Sequence, residues 1–236
     1  MKILFLSDTH GHHNQIQIDA DTDMIIHAGD ASNSKDLIEN VSEMKDFLDW
    51  FEKLQVKYKV FVAGNHDRSI ESKLINIKKE YKTITYLEHE TLVINGLKIF
   101  GSPYTKEFGT NWAFNVKEDV LSDLWDNIEQ NTDIIITHSP PKGILDLATK
   151  YSKDENGVRY FEKKVYEYCG CIKLKNKILE IKPKYHIFGH IHNNDVNINA
   201  GYRIISGHST IFINGTCVTD NIISKDLTSQ GLYFNN

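Results

Sequence analysis

Cysteine is scarce and odd in number in this 236-residue chain. Cys169, Cys171 and Cys217 fit no zinc-ribbon spacing, which excludes a disulfide scaffold and leads us to expect a reduced, intracellular setting. Long apolar runs are lacking as well. The run Met1 to Leu6 stops at Ser7 and Asp8, too short for a signal-peptide core or for the ~18 residues of a membrane span, so an untargeted, soluble, cytoplasmic protein is expected. Nor is there a surplus of positive charge. The 27 Lys and Arg are outnumbered by 32 Asp and Glu, giving a net charge of −5, which disfavours tracking of long nucleic acid. Only three arginines exist, Arg68, Arg159 and Arg203, so a bidentate clamp on a phosphomonoester dianion depends on one of them. No Pro/Gly/Ser linker, repeat or low-complexity block divides the chain, and 40% apolar residues suffice for a sizeable core. A single domain over 1–236 is expected.

Histidine is abundant, with 11 residues, and its placement is informative. Short apolar runs end repeatedly in polar loops: Lys2 to Leu6 before Ser7-Asp8-Thr9-His10-Gly11, Met24 to His27 before Ala28-Gly29-Asp30, Lys59 to Val62 before Gly64-Asn65-His66-Asp67, Asp133 to Ile136 before Thr137-His138, and Tyr185 to Phe188 before Gly189-His190-Ile191-His192. Each reads as a buried strand delivering a loop. Between them, residues 34–55 (Leu37, Val41, Met44, Leu48, Phe51, Leu54) and 116–130 (Val120, Leu121, Leu124, Trp125, Ile128) carry helical stripes for core packing. Leu92 to Ile99 reads as a hairpin on Asn95-Gly96, and 195–217, with Val196, Ile198, Ile204, Ile205, Ile211 and Ile213, supplies late hairpins. The order argues for an α/β protein with mixed sheets. Residues 149–168, dense in charge and tyrosine with a turn signal at Asn156-Gly157, read as a solvated loop and exposed helix, with a substrate lid as the alternative.

Taken singly, the strand-end residues have plain explanations: His138 a hydrogen-bonded core histidine, Asp30 a cap, Asn65 a turn residue. Five such loops in one chain are not explained by five separate accidents. Loops at the carboxyl ends of α/β strands converge on one crevice, and here they would bring together oxygen and imidazole donors without a thiolate. Such a set suits Mn, Fe, Zn or Co.

The motifs Asp8-Thr9-His10, Gly29-Asp30, Gly64-Asn65-His66-Asp67, Thr137-His138 and Gly189-His190-Ile191-His192, in this order, resemble those of the calcineurin-like metallophosphoesterase superfamily over positions 3 to 217. Residues 101–115, 137–146 and 212–217 look like the small metallophosphoesterase-domain branch, whose characterised members act on cyclic nucleotides and related phosphodiesters. The resemblance implies a four-layer α/β/β/α sandwich of two mixed sheets flanked by helices, and two divalent ions, manganese first, with Fe, Zn, Co or Mg as alternatives. By similarity Asp8, His10 and His192 would hold one ion, Asn65, His138 and His190 the other, and Asp30 would bridge. Against the charge of two such ions stand only the carboxylates Asp8 and Asp30, leaving positive charge for a hydroxide and a phosphate; a neutral amide at Asn65 preserves it. On extended backbone, His190 and His192 would lie on one side, roughly 6.6 Å apart along the chain, while Gly11 would let the chain turn after Asp8 and His10.

His66 is the expected general acid, protonating the departing alkoxide after in-line attack by a hydroxide held by the ions, with Asp67 fixing its tautomer and raising its pKa. The alternative is a histidine that orients a ligand. Substrate contacts are expected from His12, Arg68, Tyr104, Trp112 and Phe114, the rings stacking a nucleobase, with core packing as the competing explanation for the rings and a solvated loop for His12 and His13. His27 reads as a core histidine, and Asn214-Gly215 as a turn or a cleft contact. The Asp-Arg-Gly stretch of the superfamily's phosphoprotein phosphatases is missing after Asp30, and Asp67 stands where they carry Glu, so small phosphodiesters, and cyclic nucleotides among them, are the leading substrates. Phosphomonoesters or phosphoproteins are the alternative, and a non-catalytic scaffold the remote one.

Overall fold

The computed structural model describes residues 1–153, 155, 159–194, 197–220 and 225–236. Lys2–Leu6 (β1), Met24–His27 (β2), Tyr58–Phe61 (β3) and Ile84–Tyr86 (β4) pair in parallel, in that order. Leu37–Lys53 (α1) connects β2 to β3, and its start is set by Asp36, whose side chain accepts from the backbone N–H groups of Ile38 and Glu39. The short helices Arg68–Glu71 (α2) and Ile77–Glu80 (α3) follow β3. Glu90–Ile94 (β5) and Leu97–Ser102 (β6) form the expected hairpin, with Asn95 and Gly96 at φ 51° and 79° as a two-residue mirror-image turn requires.

Beyond it, Thr105–Lys106 (β7) and Asn115–Val116 (β8) close a loop that carries Phe108 and Trp112. Glu118–Asp126 (α4) leads into Ile134–Thr137 (β9), then Leu147–Lys153 (β10) and Arg159–Tyr168 (β11). Ile172–Ile181 (α5), Tyr185–Phe188 (β12), Gly201–Ile204 (β13) and Ile211–Asn214 (β14) come next. Val218–Asp220 (β15) pairs with Lys225–Leu227 (β16), and Leu232–Asn235 (β17) returns antiparallel to β1. The second sheet therefore runs β13-β14-β12-β9-β6-β5 against the first, β17-β1-β2-β3-β4.

The alternation along β1 shows why the apolar runs are continuous. Ile3 and Phe5 join Ile26, Val60, Ile99, Ile134, Ile136, Ile187 and Ile213 in a core between the two sheets, whereas Leu4 and Leu6 join Met44, Phe47, Leu48 and Phe51 of α1. On the far face of the second sheet, Phe100, Ile135, Phe188 and Phe212 pack on Leu121 and Trp125 of α4 and Leu174 and Ile178 of α5. A strand buried on both faces has no polar side to show. Three cores between helix, sheet, sheet and helix make the α/β/β/α sandwich that the motifs led us to expect.

Three readings need correction. Val120, counted in a core stripe, is 44% exposed on the outer side of α4. The loop and helix expected at 149–168 are instead the antiparallel ribbon β10–β11; its tyrosine, phenylalanine and valine content favours strand, and that preference outweighs the charge that suggested a solvated helix. The Asn156-Gly157 turn lies outside the described residues, as does Val196, while Ile198 is 81% exposed and belongs to no strand. Among the described residues, no helix is long and apolar enough to cross a membrane.

Candidate metal centre

The loops after β1, β2, β3, β9 and β12 meet at one end of the two sheets, and they do so through unusual backbone. Asp8, His10, Asp30 and His190 have φ of 52°, 41°, 56° and 71°, left-handed values that cost a non-glycine residue about 1–3 kcal/mol and persist only where the surroundings enforce them. The extended backbone expected for His190 to His192 is thereby corrected: β12 ends at Phe188 and the chain bends at His190. The bend of the first motif likewise occurs within Asp8 and His10, ahead of Gly11 at φ 82°.

Two glycines make room for the carboxylates. A Cβ on Gly189 would lie 2.0 Å from Ser7 Oγ and 2.1 Å from Asp8 Oδ2, and one on Gly64 would lie 2.3 Å from Asp30 Oδ1. Gly189→Ala is therefore expected to displace Asp8 and to destabilise the fold by about 1–3 kcal/mol, as overpacking does. Thermal melts with and without divalent cation test this; an unchanged melting temperature and cation response would contradict it.

Ligand atoms of Asp8, His10, Asp30 and His192 lie within 4.8 Å of one another, as do those of Asp30, His138 and His190. Asp30 belongs to both groups. In the first, His192 Nε2 is 3.1 Å from Asp8 Oδ1 and 3.2 Å from His10 Nε2. In the second, His138 Nε2 is 3.3 Å from Asp30 Oδ2 and 3.0 Å from Asn65 Oδ1. The Nδ1 atoms of His10 and His138 donate to the carbonyls of Ser32 and Ala28 at 3.0 Å and 2.9 Å. A carbonyl only accepts, so those protons sit on Nδ1, and in the neutral rings the Nε2 lone pairs face carboxylate and amide oxygens. Buried acceptors aimed at acceptors call for a cation between them, and the donor set fits divalent ions.

Electrostatics agree. Burial opposes ionisation of Asp30 and Asp8, yet His138 and His66 hold Asp30 well below the usual carboxylate range, and His192 lowers Asp8. Burial also opposes protonation of His138, but Asp30 and Asp8 overcome it and lift the imidazole to about 9, so without a cation a proton on Nε2 answers the Asp30 carboxylate, and a bound ion would have to displace that proton. His190, with burial dominant, falls to about 3 and is neutral at pH 7, as a ligand must be.

Asp67 does not do what its sequence position suggested. Its Oδ2 accepts from the backbone of Asp30 at 3.0 Å and Gly64 at 2.8 Å, and its Oδ1 accepts from Ser32 N at 3.0 Å and Ser32 Oγ at 2.9 Å. It ties the Asp30 loop to the Asn65 loop, fully buried, with burial and then Asp30 pushing its pKa up to about 7. The expected partnership with His66 is corrected: His66 Nδ1 donates to the carbonyl of Asn33 at 2.8 Å. One supporting residue escaped the sequence reading. Asn40 on α1 donates from Nδ2 to the carbonyl of His66 at 2.7 Å and to Ser32 Oγ at 3.0 Å, and accepts from Ser69 N at 2.9 Å. A polar side chain on the buried face of that helix was the available signal.

Residues 1–194 match the calcineurin-like phosphoesterase family. The chain belongs to that family. It is 28% identical over 245 residues to human metallophosphoesterase domain-containing protein 1, covering 93% of this chain and 67% of the relative. It is 30% identical over 231 residues to Caenorhabditis elegans UPF0046 protein K07C11.7, covering 91% and 69%. Phosphopantetheinyl hydrolase from Mycobacterium tuberculosis superposes with a TM-score of 0.57 at 14% identity over 91% of this chain and 88% of that one, a likeness of fold.

For this calcineurin-like phosphoesterase, the residues expected to touch substrate divide. Trp112 stands at the centre, its ring 4.6 Å from that of His66 and capped by Lys35 Nζ at 3.8 Å. Phe108, which was not singled out, lies 5.0 Å from His190 and 5.5 Å from Trp112. Phe114 is 3% exposed, so the expected base contact is corrected to a core position. Tyr104 packs edge-on against Phe114 and His89. Arg68 donates to the carbonyl of Lys35, and His12 Nδ1 pairs with Gln15 Nε2 at 3.2 Å. His13 is buried against Phe47 and Trp50 and 3.2 Å from Asp46, not part of a solvated loop. His27 is the core histidine expected, bonded to Thr9 Oγ1 at 3.0 Å.

Proposed function

We propose that this chain hydrolyses small phosphodiesters, cyclic nucleotides being the leading class, at a dinuclear divalent-metal centre in which residues 1–236 act as one domain. Asp8, His10 and His192 would hold one ion, Asn65, His138 and His190 the other, with Asp30 between them. The observation that carries this reading is Asp30, whose Oδ2 lies 3.9 Å from His10 Nε2 and 3.3 Å from His138 Nε2, within both groups of acceptors. When bound, the ions supply Lewis acidity and neutralise charge on the phosphate. His66, with Nδ1 given to Asn33, carries its transferable proton on Nε2 and would protonate the leaving oxygen. Trp112 and Phe108 would border the leaving group.

The diester preference rests on what the arginines do. Arg68 donates to the carbonyl of Lys35 and Arg203 is exposed on the edge strand β13, so neither of these two is set as a bidentate clamp for a dianion; the side chain of Arg159 lies outside the described residues.

A hydrolysis panel of cyclic nucleotides, bis-aryl phosphate and mononucleotides across Mn, Mg, Zn and Fe tests the reading. Turnover of diesters is expected, abolished by chelation and restored by Mn. Monoesters turned over faster would overturn the diester preference alone, and a metal-loaded protein inert toward every ester would overturn the activity.

A further inference from the structure

Two buried asparagines connect the root of the β10–β11 ribbon to the loop bearing His190 and His192. Asn214, at the end of β14, donates from Nδ2 to the carbonyls of Leu145 at 3.0 Å and Ile191 at 2.9 Å. Asn199 repeats the arrangement beside it, donating from Nδ2 to the carbonyls of Leu147 at 3.0 Å and His192 at 2.7 Å, while its Oδ1 accepts from Leu147 N at 3.1 Å. Their exposures are 0% and 2%. Each nitrogen places its two hydrogens on carbonyls of two different segments. Only a primary amide does this while remaining neutral, and neither segment can shift without leaving buried polar groups unpaired.

Between the two ribbon contacts, Asp146 Oδ2 accepts from Gly143 N at 3.0 Å and Gly170 N at 2.8 Å, and its carbonyl accepts from Cys169 N at 3.0 Å. Both strands of the ribbon are thus gathered at one point, and Asn199 joins that point to the peptide of His192. The other group is held separately: His138 donates to the Ala28 carbonyl, and His190, although on the same loop as His192, is tied by its N–H to the Asp8 carboxylate at 3.0 and 3.1 Å and through the Ile191 carbonyl to Asn214, with no contact from Asn199 in either among the described residues.

We infer that Asn199 is a positioning residue for His192, so that the ribbon root and the Asp8–His10–His192 ion position move together while the His138 position does not. The inference rests on the two-ion reading above. Three full-length variants test it: Asn199→Ala; Asn199→Asp, which sets a carboxylate against two carbonyls; and Leu147→Pro, which deletes the ribbon's own donor at the first residue of β10, where proline is tolerated. Each is freed of metal, checked for folding by circular dichroism and titrated calorimetrically with Mn2+.

One of two binding steps is expected to weaken about 10- to 100-fold, the same step that His192→Ala removes and His138→Ala retains. Leu147→Pro should weaken it too, although Leu147 offers no ligand. Equal weakening of both steps, or no change, would overturn the inference, and if one variant does not fold the other two are read in the same way. A wild-type protein that binds no Mn2+ would instead overturn the two-ion reading.

Discussion

Asp30→Asn is expected to abolish cation binding at both positions and to lower phosphoester turnover by at least about 10⁴-fold, with the fold intact. Asp30 Oδ1 accepts from His66 N at 2.7 Å, a bond that an asparagine oxygen can keep. The change falls on Oδ2, where an amide nitrogen would stand 3.3 Å from His138 Nε2. In the metal-free protein that nitrogen can donate to the imidazole lone pair, so the interior remains satisfied. It cannot serve an ion. A metal ion contributes several kcal/mol of charge stabilisation, and about 1.36 kcal/mol corresponds to tenfold in rate, which sets the size of the loss. Metal content by mass spectrometry beside the thermal melt checks it. A variant that retains two ions and turns over within tenfold of wild type would remove Asp30 from the proposed bridging role and with it the main support for the proposed activity.

The second large effect concerns the leaving group. His66→Asn should slow hydrolysis of an alkyl diester by about 10²- to 10⁴-fold, the usual contribution of a positioned general acid, and an aryl diester far less, because a stable phenolate departs without a proton. The backbone of His66 is held independently of its ring: its N–H donates to Asp30 Oδ1, and its carbonyl accepts from Asn40 Nδ2 at 2.7 Å. The substitution therefore leaves the ligand loops in place. The ring sits 4.6 Å from both His10 and Trp112, between the ligand group and the rim where a leaving group would lie. Comparing kcat for the two substrate types at saturating Mn reads the role directly. Equal losses would assign His66 to orienting its neighbours.

Much was legible before any coordinate. The Asn95-Gly96 hairpin, the α1 stripe and the both-sides-buried strands follow from turn chemistry and periodicity, which are local. So does the gathering of imidazole and carboxylate residues after strands of one α/β fold. Less visible was the ribbon at 149–168, where charge and strand preference disagreed in the same residues and pairing between strands decided. Phe114 and Trp112 are two positions apart and alike in chemistry, yet one is in the core and the other beside His66.

By itself, then, the amino-acid order determined the layered fold, the family and the inventory of donor atoms. Tertiary structure alone supplied the backbone that brings each histidine to its group, the left-handed turns at Asp8, His10, Asp30 and His190 that their neighbours impose. It alone decided that Asp67 braces two loops while Asn33, Ser32 and Ala28 set the tautomers of His66, His10 and His138. Those three contacts are made by backbone carbonyls, which every residue possesses, so no side-chain pattern could announce them.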